Sequence, residues 1–158
     1  MSQRGLSVLL LVLACGGGGG GGSQPNPSDA AGTPDAAVRS FMQAVADSNI
    51  TRMGRYWGTG KGPASVVNQP SDHVQRLTVT QSYLRGSAYR IVRMDPVSNS
   101  SDRMTVAVDL DRRDPGGTTC VKQVPFTVIK TGKYGWIVSS IDLNQAGAPS
   151  RPCATRSP

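Results

Sequence analysis

Apolar and polar positions recur along this chain with two different periods. From residue 33 to about residue 85, apolar residues return every three or four positions, as they do on one face of an α-helix. From Ala88 to Leu143 they return at every second position, as in strands with one buried face. This order predicts an α+β domain in which N-terminal helices pack on one face of a curved, four-stranded antiparallel meander sheet.

Three stretches carry the start signals and the apolar spacing of helices. Thr33 and Pro34 open the first, because threonine caps a helix N-terminus and proline suits the first turn. Asn49 can cap a second, shorter helix, and a third is predicted between Ser71 and Gly86. The apolar positions expected to face the core are Val38, Phe41, Met42, Val45, Ile50, Met53, Trp57, Val74, Leu77 and Leu84.

Four strands are predicted downstream, and a loop is predicted over residues 58–63. The strands cover residues 91–94, 104–110, 121–130 and 134–143, with turns rich in Gly, Pro and Asp between them. Pro125 falls within the third strand and has no N–H to donate to a neighbour. We therefore expect the third strand to lie at an edge of the sheet or to carry a bulge there.

The first 32 residues show neither period. Arg4 precedes an apolar run over residues 6–14, which as a helix would reach about 14 Å, against a hydrocarbon core of about 30 Å. A short apolar run of this kind after a basic residue is typical of a secretory signal peptide. The glycine-rich residues 16–32 cannot bury enough apolar surface to offset their ordering entropy, so they are predicted to form a flexible linker.

The junction between these two segments resembles the lipobox of bacterial lipoproteins. The residues that carry the resemblance are Val12, Leu13, Ala14 and Cys15. It implies that Cys15 receives a diacylglyceryl group, after removal of a signal peptide over residues 1–14, and that acyl chains hold the protein to the membrane. Gly16, with no acidic residue after the cysteine, implies the outer membrane and its periplasmic face. The alternative is an ordinary cleaved signal with a chance cysteine.

Composition and charge fit one exported domain over residues 33–143, followed by a polar tail over residues 144–158. The chain has 158 residues and a net charge of +7, and all ten acidic residues are Asp. No basic cluster is longer than two residues, and aromatic residues do not alternate with basic ones as they do in single-strand binders. Nucleic acid is therefore not expected as a partner.

The three cysteines predict one disulfide. If Cys15 is lipidated, Cys120 and Cys153 remain, and an oxidising compartment favours their pairing. The bond would also fix the polar tail; two free thiols are the alternative. With a single, remote histidine, His73, the sequence lacks the ligand spacing of a metal site, and no metal or cofactor is expected.

The ends of the domain resemble the nuclear transport factor 2-like, or cystatin-like, superfamily. Residues 33–46 (TPDAAVRSFMQAVA) resemble the opening helix of its small secreted members, and residues 132–138 (GKYGWIV) resemble their last hairpin. The resemblance implies a cone enclosed between helices and sheet, where enzymes of the superfamily place an Asp, His or Tyr. It supports a fold but does not define an activity.

The candidate pocket residues in such a cone are Tyr56, Trp57, Tyr83 and Arg93. Tyr56 and Trp57 could line a pocket mouth, although core packing is the alternative for both. His73 falls at a helix start, where an exposed side chain is expected. No catalytic residue is predicted, because no Ser–His–Asp or Cys–His arrangement is present.

Two aspartates are candidates for an acid–base pair. Asp109 and Asp111 share one face of the second strand, as paired carboxylates for proton transfer could. Their neighbours Arg112, Arg113 and Asp114 favour a solvated rim instead.

The expected function is that of a membrane-tethered lipoprotein of the cell envelope. Its domain would bind an envelope protein or a small ligand through a concave face, without catalysis. One alternative is a small lyase or isomerase of the same fold, with a carboxylate or Tyr hydroxyl in a closed pocket and a raised pKa. Another is a module for anionic polymer or lipid, with one-sided arginine clustering and steep salt dependence.

Overall fold

The structure, a computed structural model, describes residues 30–154. The predicted signal peptide, the predicted lipid-attachment residue Cys15 and most of the predicted linker lie outside the described residues. Within the described range, helices precede a four-stranded antiparallel sheet that does not close, so the α+β prediction is confirmed. None of the helices described is long and apolar enough to span a membrane.

The first two helices begin at the predicted capping residues. Helix α1 covers Pro34–Ala46, and the Oγ1 atom of Thr33 accepts a hydrogen bond from the N–H of Ala36 at 3.4 Å. Helix α2 covers Ile50–Tyr56, and Oδ1 of Asn49 accepts from the N–H of Arg52 at 2.8 Å. Both caps satisfy N–H groups that have no partner inside the helix.

A small hairpin follows α2, where the sequence predicted only a loop. Strand β1 covers Gly58–Thr59, strand β2 covers Gly62–Pro63, and helix α3 covers Ala64–Val67. The turn requires glycine at Gly62, which has φ +135°, and a Cβ there would lie 2.8 Å from the ring of Tyr134. The prediction of a loop was wrong, and the contact of Gly62 with Tyr134, far along the chain, is one that neighbouring residues do not reveal.

Helix α4 covers His73–Leu84 and starts after Asp72. The Asp72 carboxylate accepts both its hydrogen bonds from Nε of Arg76, at 2.9 Å each, so its side chain does not cap the helix. Val74 was predicted to be buried, and this was wrong: its side chain is 55% exposed, because it lies beside the buried stripe of the helix. That stripe consists of Leu77, Thr80 and Leu84.

The sheet is formed by four consecutive strands. They are β3 (Ala88–Pro96), β4 (Arg103–Arg113), β5 (Thr119–Thr131) and β6 (Gly135–Ile141), in the spatial order β3-β4-β5-β6. Every neighbouring pair is antiparallel, with one irregularity in the β3–β4 register and one in the β5–β6 register. The meander agrees with the four predicted strands.

Pro125 lies in β5, which is an interior strand, so the expectation of an edge position was wrong. The residue pairs in regular register with Ala107, and the register shift falls between Thr127 and Val128 instead. Its carbonyl oxygen accepts from the N–H of Asp142 at 3.1 Å. In an antiparallel ladder the N–H and C=O of one residue point the same way. The missing N–H would therefore face Asp142, just beyond the end of β6, so the bond that proline omits lies at the margin of the β5–β6 ladder.

The core lies between the helices and the inner face of the sheet. The rings of Phe41 and Phe126 are fully buried and meet edge to face, with centroids 6.4 Å apart. Trp136 is buried in the same cluster, whereas Trp57 packs against it from the side. The middle of the space between helices and sheet is therefore filled by side chains.

Packing extends beyond the predicted domain at both ends. Ala31 is buried, and its carbonyl oxygen accepts from the N–H of Trp136 at 2.9 Å. At the other end Ala146 has no exposed surface and belongs to the core. Cys120 and Cys153 form the predicted disulfide, with their Cα atoms 5.6 Å apart, and the bond fixes the described part of the tail to β5.

Candidate ligand-binding cleft

A cleft of about 490 Å³ lies between α4 and the end of β6. Three parts of the chain contribute to its walls: the residue that follows α2, one side of α4, and β6 with the first residues after it. Its volume falls in the range of about 300–1,000 Å³ that is usual for small-molecule sites.

Four apolar side chains line the cleft, and Trp57 is the largest of them. The backbone of Trp57 is held on two sides, since it bridges to Val138 of β6 and its carbonyl oxygen accepts from the N–H of Ala64 at 2.8 Å. Val79 also lines the cleft and is 48% exposed. The remaining apolar wall is formed by Ile141 and Leu143. These side chains offer a surface that a ligand could cover.

The cleft also carries a charged pair formed by Asp72, which precedes α4, and Arg76 of α4. Nε of Arg76 donates to both carboxylate oxygens of Asp72 at 2.9 Å, and the two side chains are 60% and 47% exposed. The spacing is i,i+4, which places both on one side of the helix. The two Nη groups of Arg76 have no partner within residues 30–154, so the guanidinium keeps most of its donors available.

The uncharged polar side chains of the cleft fall into two groups: those that already make a hydrogen bond and those that make none. Thr80 donates from Oγ1 to the carbonyl oxygen of Arg76 at 2.9 Å, and Ser139 donates from Oγ to that of Thr127 at 3.2 Å. The side chains of Gln75 and Ser140 also line the cleft, and they make no hydrogen bond to the described part of the chain. Gln75, Arg76 and Ser140 are thus the polar groups that can bind a ligand.

The structure does not bring the four predicted pocket residues together. Trp57 lines the cleft, whereas Tyr56 and Tyr83 are half-buried and pack against the core. Arg93 pairs with Ala107 on the outer face of the sheet, where its Nε donates to Asp95 at 2.6 Å and its side chain is 70% exposed.

The polar cleft residues were missed by sequence reasoning, although two signals pointed to them. Asp72 and Arg76 stand at i,i+4 spacing at the start of α4. Two serines separate Val138 from Ile141, where strict alternation allows one residue, and the register shift in the β5–β6 pairing falls here. Neither signal could show that α4 packs beside this part of β6.

The outer face of the sheet holds Asp109 and Asp111, the candidate acid–base pair. Arg90 donates from Nη2 to Asp109 at 3.2 Å and from Nη1 to Asp111 at 3.4 Å. Gln123 also donates to Asp109, at 3.2 Å. The carboxylates are bound side by side by one guanidinium, outside the space between helices and sheet.

Arg112 does not belong to a solvated rim, and that part of the prediction was wrong. It is only 6% exposed, because strand alternation places it on the inner face, two residues after Leu110. Nη1 donates to the carbonyl oxygen of Tyr83 at 2.6 Å and to Oγ of Ser87 at 2.7 Å. Burial lowers the pKa of Arg112 because it disfavours the charged form.

His73 is half-buried, not exposed as expected, and its Nδ1 atom lies 3.0 Å from the carbonyl oxygen of Pro70. Within residues 30–154, no three or more His, Cys, Asp or Glu side chains are grouped so that they could hold a metal ion.

The sequence matches no protein-family model, and its comparison with curated proteins finds no relative.

Proposed function

We propose that this protein is a bacterial envelope lipoprotein whose domain binds a small ligand, without catalysis, in the cleft between α4 and β6. Lipid on Cys15 would hold it to the outer membrane on the periplasmic side, and residues 16–30 would act as a tether. The domain would be a member of the nuclear transport factor 2-like superfamily.

The observation that carries the binding function is the cleft beside Trp57. It joins an apolar wall to Gln75 and Ser140, whose side chains have no partner in residues 30–154, and to Arg76, whose Nη groups have none there. Small-molecule sites commonly combine a mostly apolar surface with a few polar groups that fix orientation. The paired cysteines support an exported location, because disulfides persist in oxidising compartments.

Two observations support binding of a small ligand over the alternative functions. Asp72, Asp109 and Asp111 each have an arginine partner, and none of the three lies in a closed pocket, where the enzyme alternative places its carboxylate. Arginines are also paired with aspartates on several surfaces, as in Arg39–Asp35 and Arg52–Asp47, so a one-sided basic face for an anionic polymer is not favoured.

The binding function is tested by ¹⁵N–¹H spectra of the mature chain, residues 15–158, with Cys15→Ser to prevent acylation. Small amphipathic fragments are added singly, and the expected shifts cluster at residues 57, 72–80 and 139–143. Shifts confined to the outer face of the sheet, or no shifts at all, would refute the cleft as the binding site.

The anchor is tested separately in the membrane fraction of the native host. Mass spectrometry of the wild-type chain should find Cys15 acylated at the mature N-terminus. Recovery of a soluble chain that retains residues 1–14 would overturn the lipoprotein assignment.

A further inference from the structure

We infer that the ligand is a small monocarboxylate with a flat apolar body, bound by Arg76 and Trp57. This inference rests on the proposed cleft and names the class of molecule that fits it.

Arg76 provides the group that would recognise the carboxylate. Its Nε is engaged by Asp72, which holds the guanidinium in place, while both Nη groups are without a partner in the described chain. A planar guanidinium with two free Nη groups matches the two oxygens of a carboxylate. Gln75 and Ser140 lie in the same cleft and can donate further hydrogen bonds.

Asp72 sets the charge that the cleft accepts. Because its carboxylate offsets part of the positive charge of the guanidinium, a ligand with one negative charge is favoured over one with two. A phosphate dianion would bring its second charge close to Asp72, and this repulsion disfavours it.

The apolar wall sets the body of the ligand. Trp57 offers an aromatic surface, and Val79, Ile141 and Leu143 complete the wall. Aromatic rings favour offset or edge contacts with flat groups, and Val79, which is 48% exposed, would lose contact with water when covered. An aromatic or otherwise planar carboxylate would therefore contact both Arg76 and the apolar wall.

The test uses benzoate, with benzamide as its neutral counterpart and phenylphosphonate at pH 8 as its dianionic one. Binding is followed in ¹⁵N–¹H spectra of the mature Cys15→Ser chain through the indole N–H of Trp57, and the buried Trp136 serves as an internal reference. We expect benzoate to bind about 10-fold more tightly than benzamide, and more tightly than the dianion.

Arg76→Gln should remove the preference for benzoate over benzamide. The matched control is Arg39→Gln, which breaks a second i,i+4 ion pair, that of Arg39 with Asp35. This pair lies on α1, away from the cleft, so the preference for benzoate should remain. Val79→Asp should weaken benzoate binding by at least 10-fold, whereas Val74→Asp, at an exposed position of the same helix, should not.

The outcomes distinguish an error in the ligand class from an error in the binding function of the cleft. If benzamide or the dianion binds as tightly as benzoate, with shifts at Trp57, the ligand class is wrong and the cleft stands. If no fragment shifts Trp57 or residues 139–143, both the ligand class and the binding function are refuted.

Discussion

The guanidinium of Arg112 donates a hydrogen bond to the backbone carbonyl oxygen of Tyr83 at 2.6 Å, across 29 residues of sequence. It joins the end of β4 to the last turn of α4. A cation is favourable there, because the carbonyl groups at a helix C-terminus carry a partial negative charge. The second acceptor, Oγ of Ser87, lies just after the helix, and Nε of Arg112 is buried without a partner in the described structure.

Arg112→Met is expected to destabilise the fold by about 1–3 kcal/mol, because it leaves the carbonyl oxygen of Tyr83 and the hydroxyl of Ser87 without their donor. Urea denaturation measures the change. Arg113→Met, at an exposed neighbouring position, is the control and should change stability by less than about 0.5 kcal/mol. Equal midpoints for the two variants would show that the buried cation does not secure α4.

Reduction of the Cys120–Cys153 disulfide is expected to lower the free energy of unfolding by about 3–4 kcal/mol, given a sequence separation of 33 residues. The bond limits the unfolded chain and keeps the tail in place, where the N–H of Cys153 donates to Asp114 at 2.9 Å. Denaturation of the Cys15→Ser chain with and without dithiothreitol measures the effect. A Cys120→Ser/Cys153→Ser variant should not respond to the reductant; an unchanged midpoint for the parent chain would contradict the prediction.

Gly62→Ala is expected to cost about 1–3 kcal/mol, because a side chain at φ +135° is strained and its Cβ would meet the ring of Tyr134. Gly60→Ala is the matched control in the same hairpin, since nothing lies within 4 Å of its added Cβ. Thermal denaturation compares the two. We also expect Gly62→Ala to weaken benzoate binding, because the hairpin positions Trp57; similar melting temperatures for both variants would refute this account.

The fold is expected to lose a small part of its stability in acid through Asp35. The hydrogen bond with Thr33 is the main cause that lowers the pKa of Asp35, followed by backbone N–H groups and Arg39 against an opposing effect of burial. A lowered folded-state pKa means that the ionised group stabilises the fold above its ordinary value of 3.8. This contribution is lost as the pH falls through the lowered pKa.

Asp35→Asn should therefore destabilise the protein by about 0.3–1 kcal/mol at pH 7, and the difference should shrink towards pH 2. Urea midpoints at the two pH values measure it, with Asp102→Asn, at an exposed turn position, as the control. A deficit that is the same at both pH values would show that the charge of Asp35 is not its source.

Local signals explain the parts of the fold that the sequence predicted correctly. Thr33 and Asn49 cap helices through hydrogen bonds to residues three positions away, so their role can be inferred from neighbours in the chain. The alternation in β4 likewise identifies its buried face from consecutive residues.

Several of the errors concern features that depend on distant partners. Arg112 was placed in a solvated rim because its neighbours are charged, but its acceptors lie 25 and 29 residues away. Pro125 is accommodated in an interior strand only because β6 ends beside it. The cleft depends in the same way on α4 and β6 meeting, and of its residues only Trp57 was identified in advance.

The hydrogen bond from Trp136 to Ala31 determines where a force applied to the N-terminal segment would be transmitted to the domain. Such a force would reach the sheet at the start of β6 and be carried along the strand. The serines of the cleft stand near the other end of β6, about 15 Å further on at 3.3–3.4 Å per residue. A domain suspended from this corner would carry that load through a strand that also forms one wall of the cleft.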